Sequence, residues 1–122
     1  MKSHNYKFIN LDYLSEVAGD DLATRATLLD LVAKELLETI PQLSQLYTDE
    51  AWTDIKSHTH RMKTTMAFAG SPELKSANES IWKAMVSMES PHTIAPLIRI
   101  MEAVYIDVVG ELKQELDGMM QG

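Results

Sequence analysis

The stretch 52-WTDIKSHTHRMKTTMAFAGSP-72 decides how this chain folds. Trp52, Ile55, Thr59, Met62, Met66 and Ala69 recur at steps of three and four residues, the repeat of one helix face. Gly70 breaks the pattern. Glycine takes the left-handed position that closes a helix, serine caps the next one, and proline suits a first helical position. Gly70-Ser71-Pro72 therefore reads as one helix ending and another beginning. At about 100° per residue, His60 falls about 140° from the centre of the apolar face and points to solvent. Thr53, Lys56, Lys63, Thr64 and Ala67 share its side, whereas His58 lies about 60° from the apolar face, on its flank.

Outward from this helix the chain keeps the same period. Thr48-Asp49-Glu50 offers a cap and acidic groups that complement a helix N-terminus, so the helix is expected to begin there. Upstream, Asp20 or Asp21 opens a long helix with the stripe Leu22, Leu29, Val32, Leu36, Ile40, Leu43 and Tyr47. Pro41 sits within that stripe and predicts a kink rather than an end. Before it, Asn10 caps a short helix carrying Leu11, Leu14 and Val17 and stopping near Gly19. Downstream, Leu74, Ala77, Ile81, Met85 and Met88 mark a fourth helix. After Ser90-Pro91, a fifth carries Ile94, Leu97, Met101, Val104, Val108 and Leu112 and is expected to fray at the Gly-Met-Met-Gln-Gly tail. No segment alternates as a strand would. The expectation is an all-α fold, an antiparallel four-helix bundle with a short extra N-terminal helix, forming a single domain over residues 1–122.

Composition narrows the function. At 122 residues, 45% hydrophobic and 24% charged, the chain suits one globular domain with a real core. A net charge of −7 argues against nonspecific nucleic-acid binding, which needs a basic surface. The absence of cysteine excludes disulfides, thiolate nucleophiles and Cys-ligated zinc. No apolar run approaches the ~20 residues that span a membrane. The N-terminus MKSHNYKFIN has no apolar signal core, so no membrane association and a cytoplasmic location are expected. The eight methionines read as core filler.

The two histidines invite a chemical reading. Side chains two residues apart on a helix diverge by about 200°, so they cannot share one metal, and His4 and His92 supply no helpful spacing. No metal site is expected. Neither serine nor cysteine stands where His60 could activate it, and no glycine-rich loop offers an oxyanion hole or an ATP site. An exposed imidazole remains, with Lys63 one turn onward. A neutral ring of this kind can attack phosphorus and carry the phosphoryl group as a phosphoramidate, with the ammonium beside the arriving oxygens. The small Ala67 leaves room for a partner, and with Lys56 and Thr64 it makes up the expected docking surface. The same layout also suits a merely solvated helix face. On that reading Lys56 and Arg61 are surface charges. His58 reads as a boundary histidine satisfied by a local hydrogen bond.

His60, Lys63, the small residue Thr64 and Gly70 together resemble the core pattern of the histidine-containing phosphotransfer (HPt) domains of multistep two-component phosphorelays. The approach to the histidine, with Trp52 and Ile55 after Asp-Glu-Ala, is also similar. So are 10-NLDYLSEVAGDD-21 and the proline-bearing 35-ELLETIPQLSQL-46. The resemblance runs from about residue 10 to residue 89, and the last helix matches only in length and period. It implies that His60 is the phosphoacceptor, that Lys63 assists it, and that Gly70 marks the helix end. It further implies a phosphocarrier with no cofactor of its own, acting between response-regulator receiver domains that supply Mg2+ and a sensor or hybrid histidine kinase upstream. A monomer is expected. Two positions depart from the pattern: Thr64 stands where glycine is frequent, and Thr59 where alanine is usual, its hydroxyl needing a partner such as the Ile55 carbonyl. Two other readings stay open at this point, a docking module without chemistry and the N-terminal phosphoacceptor domain of a chemotaxis-type kinase. The start at Met1 and the loose end at Gly122 favour a free-standing protein over the second of these.

Overall fold

The computed structural model describes residues 6–121, with the side chains of residues 120 and 121 outside the description. His4, considered above as a metal ligand, and Gly122 lie outside the described residues. The described chain is all-helical: α1 (Asp12–Ala18), α2 (Leu22–Thr48), α3 (Trp52–Ala69), α4 (Pro72–Val86), a 3-10 turn (Pro91–Ile94) and α5 (Ala95–Gln121). The four long helices make their main contacts in the cyclic order α2, α3, α4, α5 and back to α2, while α1 packs on α2 and α3.

Local chemistry sets most of the boundaries. The Asp21 carboxylate accepts the Ala23 N–H and opens α2, and its hydrogen bond with the Thr24 hydroxyl leads the effects that lower its pKa. Pro41 lies inside α2, which continues through it to Thr48. At the other predicted stop, Gly70 has φ of 68°, and the Ser71 hydroxyl accepts the Leu74 N–H with Pro72 in the first turn of α4. The Asn10 side chain accepts the Asp12 N–H at 2.8 Å, although Leu11 occupies the capping position of α1.

Several boundaries differ from the expectation. Thr48 ends α2 and Glu50 turns at φ of 57°, so the Thr-Asp-Glu triplet closes one helix rather than opening the next. Helix α3 starts at Trp52, where Ala51 provides no side-chain cap. Met88 lies past the end of α4 at φ of 56° and is 90% exposed, because the chain has turned before the apolar period reaches it. Helix α5 continues past Gly118 to Gln121. Val17 and Leu22 are exposed, since no described element covers those edges of α1 and α2.

The core joins Leu29, Val32, Leu36, Ile40 and Leu43 of α2 to Ile55, Met62, Met66 and Ala69 of α3. Leu74, Ala77 and Ile81 of α4 complete it with Met101, Val108 and Leu112 of α5. Of the methionines, Met62, Met66 and Met101 are buried core residues, as the helical spacing predicts. The N-terminal segment is tied across this assembly. The Glu111 carboxylate of α5 accepts the main-chain N–H groups of Lys7, Phe8 and Ile9 at 3.0, 2.8 and 3.2 Å. The Tyr6 hydroxyl donates to Glu115 at 2.6 Å, and burial together with that carboxylate raises its pKa. Further along, the Asn10 N–H donates to the Gly70 carbonyl at 2.9 Å. A Cβ at position 70 would stand 1.8 Å from the Asn10 carbonyl oxygen. Glycine is required there twice, by the left-handed φ and by the strand of chain crossing it.

Candidate functional site

Helix α3 separates its two histidines completely. His58 is 4% exposed, deeper than the flank position its angle suggests, because α2 covers it. Its Nε2–H donates to the Thr39 carbonyl of α2 at 3.0 Å, two residues before Pro41. Its Nδ1 accepts an N–H from Arg61 at 3.3 Å. A carbonyl can only accept and a guanidinium can only donate, so both contacts suit the neutral Nε2–H tautomer. Burial first, and the Arg61 charge with it, push the pKa of His58 below its ordinary 6.5, against the opposing pull of the Thr39 carbonyl and Glu35. The ring is therefore satisfied by one local bond, from Arg61, and one long-range bond, to Thr39, and Arg61 is more than a solvated charge.

His60 has the opposite environment. It is exposed at the middle of α3, with Lys56, Lys63 and Thr64 exposed on the same side, as the period predicts. His60 and Lys63 line one groove between α3 and α4, floored by Thr59 and Met66 and walled by Lys75, Asn78, Glu79 and Trp82. Among the described residues neither Lys63 nor Lys75 is ion-paired, while Glu79 is held by Lys83 at 3.2 Å. The groove thus offers an imidazole and two uncommitted ammonium groups. Thr59 is buried, and its hydroxyl donates to the Ile55 carbonyl at 2.9 Å and the Lys56 carbonyl at 3.1 Å. That is the partner a buried hydroxyl on this face requires.

Ala67 is half-buried and lies in an adjoining trough with Tyr13, Gly70 and Lys75, the last shared with the first groove. Tyr13 of α1 is 47% exposed and rests on Phe68, ring centroids 5.3 Å apart. The surface around His60 therefore extends past Ala67 onto α1.

The contribution of α4 was not read from the sequence. Asn78 is 3% exposed, and its amide N–H donates to the Thr59 carbonyl at 2.9 Å, bracing the peptide unit that leads into His60. Its Oδ1 is buried without a partner among the described residues. Trp82, one turn later, sets its indole beside the His60 ring with centroids 6.0 Å apart and planes 32° apart. The available signal was a polar residue, Asn78, within the apolar stripe of Leu74, Ala77 and Ile81. A buried polar side chain in such a stripe marks a specific bond across to another element.

Among the described residues no group of three or more His, Cys, Asp or Glu side chains is arranged to hold a metal ion. His92 lies in the 3-10 turn between α4 and α5, bonded through Nδ1 to the Tyr47 hydroxyl at 3.0 Å. Among the same residues no helix is long and apolar enough to cross a membrane. Comparison with family models, with curated proteins and with solved structures finds no match for this chain.

Proposed function

We propose that this protein is a histidine phosphocarrier of the HPt kind, an antiparallel four-helix bundle forming one domain that relays a phosphoryl group between receiver domains in the cytoplasm. One observation carries the reading: His60 is exposed beside an unpaired Lys63, while the neighbouring His58 is buried and bonded through both ring nitrogens. A nucleophilic nitrogen of His60 attacks the phosphorus of an aspartyl phosphate on the donor receiver. The P–N bond forms as the P–O bond breaks, and the electron pair leaves on the donor carboxylate. The proton on the other ring nitrogen is lost to water once the ring carries the phosphoryl group. A second receiver's aspartate reverses the exchange. Lys63 meets the phosphoryl oxygens, and the charge that builds on them in the transition state is what its ammonium stabilises. Mg2+ belongs to the receiver, as does most of the electrostatic stabilisation. Lys56, Thr64 and Ala67 are the surface a receiver covers, with Thr64 adding a hydroxyl where the family frequently has glycine. The protein acts as a monomeric intermediate, with a sensor or hybrid kinase as the original source of phosphate.

The test is incubation with a receiver domain phosphorylated by acetyl phosphate. The expected product is an acid-labile, alkali-stable phosphoprotein that His60→Gln abolishes. Labelling that persists in His60→Gln and disappears in His58→Gln would overturn the assignment.

A further inference from the structure

We infer that Trp82 of α4 is a positioning residue for His60, holding the imidazole ring so that its nitrogens face the incoming phosphorus; the inference rests on the phosphocarrier reading. An exposed histidine on a helix ordinarily samples its rotamers freely, and each productive encounter must then freeze the ring. Here a flat indole lies alongside it, centroids 6.0 Å apart and planes 32° apart. The indole is only half-buried and is not among the side chains packed on the hydrophobic core, unlike Trp52. Its contact with His60 is therefore not a by-product of core packing.

The geometry of attack makes this contact useful. The lone pair of an imidazole nitrogen lies in the ring plane, and a tilted aromatic neighbour with its centroid 6.0 Å away limits how far that ring can turn. Trp82 can therefore restrict rotation of the ring, and His60 stays exposed to an incoming phosphoryl group. As the P–N bond forms, the ring gains positive charge. An indole face within about 6 Å favours a cation over a neutral ring, so the contact strengthens toward the transition state. Asn78 sets the register that makes this possible. Its bond to the Thr59 carbonyl fixes α4 to the peptide preceding His60, one turn from Trp82.

The test separates position from rate. In the unmodified protein, NMR should show cross-relaxation between the Trp82 indole protons and the His60 ring protons, and its absence would overturn the inference. Trp82→Leu should move the His60 ring resonances as the indole ring current is lost. It should also slow labelling by phosphoramidate, a donor small enough to need no docking, by about fivefold. Trp82→Phe should restore most of both, and because it keeps an aromatic ring it decides the matter even if the leucine variant folds poorly. Resonances that move while the labelling rate stays at the wild-type value overturn the proposal, as does a slower rate with unmoved resonances. If wild type takes no phosphoryl group from phosphoramidate or from a phosphorylated receiver, the phosphocarrier reading falls. The cross-relaxation then reports only whether the two rings touch, and the positioning role falls with the reading.

Discussion

His58 and His60 are separated by a single residue on α3, and they share almost nothing else. One is buried against α2, bonded at both nitrogens and held neutral; the other stands in an open groove with unpaired lysines. The difference teaches that an imidazole's use follows from what its two nitrogens are already doing. A ring whose N–H is given to Thr39 and whose lone pair is taken by Arg61 has no nitrogen left for phosphorus. The first is part of the scaffold and the second is available for chemistry.

The sharpest way to break that contrast is to exchange the fates of the two rings. His60→Gln should abolish acid-labile phosphorylation, and His58→Gln, which keeps a donor for Thr39, should retain it. Phosphopeptide mapping on both variants checks this. Next in size is Lys63→Ala, expected to slow transfer from a phosphorylated receiver by about 100-fold, the low end of the cost of removing one charge-stabilising donor. Its urea-unfolding midpoint should match wild type, since Lys63 is exposed and unpaired. Loss of stability in Lys63→Ala would count against a purely chemical role.

The opposite pattern is expected at the buried ring. His58→Ala leaves a cavity and strips the Thr39 carbonyl and Arg61 of their partner, costing about 2–3 kcal/mol in urea unfolding. Phosphoryl acceptance by the variant that remains folded should be near normal. The smallest effect concerns pH. The folded state keeps His58 neutral below the 6.5 at which the unfolded chain protonates it. The unfolded chain therefore binds more protons there, and stability is lost as the pH falls below that value. Above it the contribution is fully present. Unfolding midpoints on either side should show the decline, and His58→Gln, with nothing to titrate, should show a shallower one.

How much of this was legible beforehand depends on the distance over which each feature is decided. The exposure of His60 and Lys63 followed from angles along one helix. The stop at Gly70 followed from residue chemistry over three positions. Boundaries failed where a local signal had two meanings. Thr48-Asp49-Glu50 is as good a helix opening as a helix closing, and only the turn at Glu50 distinguishes them. Met88 continued the apolar period on paper after the backbone had already left the helix.

By itself, then, the sequence determined that the chain is helical, which faces are apolar, and which of two adjacent histidines meets solvent. Those are properties of a repeat of about 3.6 residues and need no second helix to define them. Only the tertiary structure decided what stands opposite each face. It brought Thr39 onto His58, the Asn10 main chain against Gly70, and Asn78 with Trp82 alongside His60. A period fixes the direction of a side chain about its own axis but not the neighbour or the register it meets, which follow from how the cores of four helices fill space together.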